Sequence, residues 1–174
     1  MPERLVVDAS AGLAILLDEP AAPEVMRLLA AAGQAGAILV PDHFWLEVTN
    51  VLVRRHNFKM DEVVAAIREL DELGLVTVAL DRPTTLLGLD LMVRHGLSAY
   101  DAAYLALAQV ADARLLTLDS RLASAAGERS ALGHRPRTHE QLEPYEAPLP
   151  GPAWATHGRY LAELRRLAAV PAVR

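Results

Sequence analysis

Four short apolar runs alternate with stretches of helix length, and this rhythm restricts the fold more than any other feature of the chain. The runs are residues 5–7, 37–40, 76–80 and 114–118. Helix-length segments fall at roughly 11–17, 21–33, 42–57, 60–73, 83–95 and 98–111, with a short one after Asp119. Runs that are apolar throughout, rather than alternating, suit strands buried on both faces. Strands joined through helices then build a parallel sheet with helices on either side, an α/β fold. Two helices between some strands make more than a minimal strand–helix–strand repeat.

Composition narrows the function. At 174 residues, 52% hydrophobic and 22% charged, the chain has material for one buried core. It has no cysteine, which excludes disulfide frameworks, thiolate zinc sites and cysteine nucleophiles. That agrees with a reducing, cytoplasmic setting. The opening "MPERLVVDAS" lacks the apolar run of a signal peptide, and no stretch is long enough to span a bilayer, so no membrane association is expected. A net charge of -5 argues against a general nucleic-acid coat, although an acidic chain can hold a polyanion through metal ions. There is no P-loop, no G-x-S-x-G elbow and no dinucleotide-binding glycine fingerprint.

The character changes near residue 133. "HRPRTHEQLEPYEAPLPGPAW" carries Pro136, Pro144, Pro148, Pro150 and Pro152. The expected organisation is a folded domain over 1–133, a Pro-rich linker over 134–152 and a C-terminal helical extension over 153–174. In that extension Tyr160, Leu161, Leu164 and Leu167 share helical spacing, which suits packing on a core or a partner.

Four acids carry the chemistry. Asp8 follows the first apolar run in "LVVDAS", and Asp119 follows the last in "RLLTLDSRL". The crevice beyond the carboxyl ends of parallel strands is where ligands bind, although either residue would also serve as a helix cap. Asp101 lies in the first turn of "SAYDAAYLALAQV". Ser98 and Asp101 have capping-box spacing, and an acid suits the positive end of a helix. Tyr104, Leu105 and Ala108 follow on the same face, however, so Asp101 is expected on an apolar surface with no side-chain partner in its own helix. Glu47 lies at the border of a stripe formed by Phe44, Val48, Val51 and Leu52, beside His43, Asn50 and Arg54.

Gathered in one crevice, these carboxylates would repel, a pair about 4 Å apart costing about 4 kcal/mol at an effective dielectric near 20. Protons or cations must neutralise such a group. Oxygen-only ligands select Mg²⁺ or Mn²⁺, and the chemistry this permits is phosphodiester hydrolysis.

The stretches "VVDASAGLAILLDEP", "FWLEVTNVL", "GLSAYDAAYLALA" and "LLTLDSRLA", in that order, resemble the PIN-domain family, in particular the VapC-type toxin ribonucleases. The resemblance runs from Leu5 to about Gly133. It implies a PIN-like three-layer α/β/α fold with a central parallel sheet and Mg²⁺-dependent endonucleolytic cleavage of RNA. It also implies a cognate antitoxin that blocks the site, and a homodimer. The family's acidic quartet maps onto Asp8, Glu47, Asp101 and Asp119 as catalytic and metal-binding residues, Asp8 and Asp101 foremost. Ser10, Thr117 and Asn50 fall at its accessory polar positions. Arg54, Arg55, His56 and Lys59 form the densest basic run, which would either steer RNA or end a solvated helix.

Two other readings compete. A PIN-like module without activity would keep the fold and only bind. Asp81, at the end of "LVTVALD", invites a haloacid-dehalogenase-like phosphohydrolase. Asp8 lacks the second aspartate two residues on that such enzymes use, since Ser10 stands there, so Asp81 is better assigned as a cap for the helix at Pro83.

Overall fold

A computed structural model describes residues 4–35 and 37–132, so the expected linker and C-terminal helix lie outside the described residues. The strands are β1 (Leu5–Val7), β2 (Ile38–Pro41), β3 (Leu75–Val78) and β4 (Arg114–Leu116). Between them run α1 (Ala9–Leu16), α2 (Ala22–Ala35), α3 (His43–His56), α4 (Met60–Glu72), α5 (Arg82–His95) and α6 (Ala99–Val110), with α7 (Ser120–Ala126) after β4.

All pairings are parallel, in the order β3-β2-β1-β4. Chain order therefore runs outward from β1 to β3, then crosses back to place β4 on the other side of β1. The switch point of this sheet lies between β1 and β4, where an open α/β sheet leaves a crevice beyond its strand ends. Every residue of β1 is buried, as its continuous apolar run requires. The edge strand β3 departs from that expectation: Val76 and Thr77 are exposed.

Three contacts fix the helices that surround the crevice. Helix α6 packs across β1, β2 and β4, and its small residues Ala102, Ala106 and Ala108 are fully buried. Gly96, at φ 64°, ends α5 in the left-handed region, and Ser98 caps α6 two residues on. Helix α1 meets α3 at Gly12, where a Cβ would stand 2.9 Å from the Phe44 ring. Trp45 then ties α3 to the edge strand by donating from Nε1 to Thr77 Oγ1 at 2.9 Å.

Candidate active site

Asp8 is the first residue beyond β1, and its amide still donates to the Leu116 carbonyl at 3.1 Å. Its buried side chain caps α1, Oδ1 accepting from the Ala11 amide at 3.1 Å and the Ser10 hydroxyl at 2.6 Å. Oδ2 accepts from the Thr117 hydroxyl at 2.7 Å. Ser10 Oγ in turn accepts from the Leu118 amide at 2.9 Å, and Thr117 Oγ1 accepts from the Asp119 amide at 3.0 Å. Two hydroxyls thus stitch the ends of β1 and β4 together around one carboxylate. Burial nevertheless pushes the Asp8 pKa up to about 6, against the three hydrogen bonds that favour its ionised form and with help from the charge of Asp119.

Asp119 caps α7, Oδ1 accepting from the amides of Arg121 at 2.7 Å and Leu122 at 2.9 Å. Asp101 is half-buried at the start of α6. Its Oδ2 accepts from the Ser98 hydroxyl at 2.7 Å, while its amide donates to Ser98 Oγ at 3.1 Å. The expectation that Asp101 lacks a side-chain partner is therefore corrected. Its partner is the cap residue just outside the helix, and the side chain returns to the Ser98 hydroxyl rather than to the backbone.

Glu47, half-buried in α3, accepts a short hydrogen bond from the Tyr104 hydroxyl of α6. His43, one turn earlier, places Nε2 3.9 Å from the same carboxylate oxygen. The His43 ring meets Tyr104 edge-on at 4.7 Å and Tyr100 at 5.7 Å, and its Nε2 is buried without a hydrogen-bond partner. Burial pushes Glu47 up to about 7; the Tyr104 bond opposes this, while the charges of Asp8 and Asp101 add to it. Burial also holds His43 below its usual value, against Asp42, the Tyr100 backbone and Asp101.

Residues 5–128 match the PIN domain. The chain belongs to the PIN-domain family. This PIN domain is 36% identical over 124 residues to Ribonuclease VapC3 of Pyrobaculum aerophilum, covering 69% of the chain and 92% of that relative. Its fold is shared with VapC20 of Mycobacterium tuberculosis, described as a Sarcin-Ricin loop cleaving toxin, at TM-score 0.57 and 18% identity over 70% of this chain and 94% of that one. It is also shared with VapBC2 of Rickettsia felis, solved bound to a DNA fragment from the promoter, at TM-score 0.54 and 12% identity over 67% and 88%. The α/β/α architecture expected from the sequence is the one these VapC-type PIN domains have.

The electrostatics link the four candidate acids of the PIN domain. Glu47 feels Asp8 and Asp101, and Asp8 feels Asp119. The side chains are not drawn to ligand spacing: among the described residues no three Asp, Glu or His side chains form a group that could hold an ion. The donor set still fits a hard divalent cation. Its four acids offer carboxylate oxygens, and burial and mutual repulsion oppose full ionisation of Asp8 and Glu47, a cost that a cation would offset.

Of the accessory positions, Ser10 and Thr117 touch Asp8 directly, whereas Asn50 is exposed one turn beyond Glu47. Arg54, Arg55 and Lys59 are exposed, and Arg54 stands two turns from Glu47, about 10 Å along the helix axis. Arg54 and Arg55 occupy the last turn of α3, where positive charge suits the helix dipole. Asp81 caps α5, accepting from the Thr84 amide at 2.9 Å.

Reading the sequence gave no role to two residues of this site, Tyr104 and His43, although it set His43 beside Glu47. Tyr104 counted as part of an apolar face. The available signal was its hydroxyl, which needs a partner once buried in a helix of alanines and leucines. For His43 the signal was its place four residues before Glu47, on the same helix face.

Proposed function

We propose that the chain is an Mg²⁺-dependent endoribonuclease, with Mn²⁺ as a competent substitute, acting as the toxin of a toxin–antitoxin pair. One observation carries this reading: a buried carboxylate, Asp8, at the β1–β4 switch point with three further carboxylates in one electrostatic field. The names borne by VapC3 and VapC20 support RNA as the substrate class.

In this reading Asp8 and Asp101 hold the cation, and Asp119 and Glu47 complete its shell or position water. When bound, the cation supplies a polarised water and positive charge against the reacting phosphate. Ser10 and Thr117 keep the Asp8 oxygens in place. Glu47, held by the Tyr104 hydroxyl, is placed to accept a hydrogen bond from the attacking water and so orient it. In-line attack on phosphorus leaves a 5′-phosphate and a 3′-hydroxyl. Arg54, Arg55 and Lys59 steer the RNA backbone toward the crevice from the far end of α3.

The partner is a cognate antitoxin that covers the crevice, as the pairing in VapBC2 suggests by analogy, and the chain acts as a homodimer in the cytoplasm. No helix among the described residues is long and apolar enough to cross a membrane.

The deciding experiment expresses the wild-type chain beside Asp8→Asn and Asp101→Asn, and assays each purified protein on RNA with and without Mg²⁺. Cleavage and growth arrest by the wild type alone are expected. Equal toxicity of the variants would overturn the reading. Absence of both cleavage and metal-dependent thermal stabilisation would return the chain to the binding-module alternative.

A further inference from the structure

Tyr104 of α6 joins the Asp101-bearing start of its own helix to Glu47 of α3. It is only 1% exposed and lies three residues after Asp101. Its hydroxyl donates to Glu47 Oε2 on α3, across 57 residues of sequence. The Ala9 backbone and the charge of Asp8, the residue before it, both act on the same phenol. The His43 ring packs edge-on against it and closes one side of the contact.

Packing alone does not account for this hydroxyl. A phenylalanine would fill the same space, and a buried phenol is costly unless it is hydrogen-bonded. Here the bond is spent on one of the four site carboxylates. Glu47 has three side-chain torsions and is only half-buried, so a single anchored oxygen restricts most of its freedom.

We propose that Tyr104 is a positioning residue, whose phenol holds the Glu47 carboxylate in the orientation facing Asp8 and so presets the cation site. This rests on the nuclease reading above. Outer partners of this kind, when removed, weaken metal binding on the order of tenfold or more.

The test measures Mn²⁺ binding directly, by the resonance signal of free Mn²⁺, in the full chain without substrate. Four proteins are compared: wild type, Tyr104→Phe, Glu47→Ala and the double variant. Tyr104→Phe is expected to weaken binding on the order of tenfold in the wild-type background and to change nothing when Glu47 is already gone. Equal losses in both backgrounds would mean that the hydroxyl supports the fold generally, and would overturn the proposal. So would unchanged binding in both. If Tyr104→Phe does not fold, Glu47→Asp replaces it. That variant keeps the charge but shortens the side chain out of reach of the phenol, and is expected to bind as weakly as Glu47→Ala. Wild-type affinity in it would overturn the proposal. A wild-type chain that binds no Mn²⁺ would instead overturn the metal-dependent reading itself, and this proposal with it.

Discussion

The Thr117 hydroxyl donates to Asp8 Oδ2 at 2.7 Å, joining the residues just beyond β4 and β1 across 109 positions of sequence. The same hydroxyl oxygen receives the Asp119 amide at 3.0 Å, so one small side chain relates two of the four acids. Thr117→Val keeps the shape and removes both functions. A buried acceptor and a buried donor would lose their partner, which costs about 1–3 kcal/mol for an unsatisfied group. Urea unfolding should show that loss, and Thr117→Ser should recover most of it.

Asp8 makes the metal-free protein sensitive to pH. Its folded pKa is about 6 against an ordinary value of 3.8, so the folded state binds a proton more tightly than the unfolded chain. Stability is therefore lost as pH rises from about 4 to about 6, and above that window ionised Asp8 costs about 3 kcal/mol. Glu47, raised to about 7, extends the loss toward neutrality. Asp8→Asn should melt higher than wild type at pH 8 in the presence of a chelator. The difference should shrink toward pH 4. Adding Mn²⁺ at pH 8 should raise the wild-type melting temperature and leave Asp8→Asn unmoved.

Much of this arrangement was legible in the residues. Continuous apolar runs mark buried parallel strands, and an aspartate after such a run marks the crevice side of the sheet, as with Asp8 and Asp119. Asp81 reads correctly as a cap because Pro83 and Thr84 follow it at the right spacing. What escaped depends on contacts between distant segments. The fourth run was expected over 114–118, but the strand ends at Leu116, because Thr117 and Leu118 turn away to bond Asp8 and Ser10. No local pattern tells a buried phenol which carboxylate it will meet. The capping-box spacing did mark Ser98 as the partner of the Asp101 amide, and only the return of the Asp101 carboxylate to the same hydroxyl escaped it.

Gly12 sets the approach of α1 to α3, and hence of Asp8 to Glu47. A Cβ there would lie 2.9 Å from the tip of the fully buried Phe44 ring. Two effects of Gly12→Ala oppose each other. Higher helix propensity contributes about 1 kcal/mol, whereas overpacking of a filled core costs about 1–3 kcal/mol. The ring has little room to yield, so net destabilisation is expected by thermal melting. Adding Phe44→Leu should reverse the sign of the Gly12→Ala effect, since the clash then disappears and only the propensity gain remains.

Asp119 has two roles that different substitutions separate. Its Oδ1 caps α7 through the Arg121 and Leu122 amides, while its charge acts on Asp8. Asparagine retains a capping oxygen and loses the charge; alanine loses both. Asp119→Ala should therefore lower stability by about 1 kcal/mol, and Asp119→Asn should keep nearly all of it. If Asp119 served only as a cap, Asp119→Asn would cleave RNA at the wild-type rate. The proposed metal role requires the opposite, with both variants losing cleavage while only the alanine variant loses stability. Parallel unfolding curves and cleavage assays on the two proteins distinguish these outcomes, because a cap defect moves stability and activity together whereas a missing ligand moves activity alone.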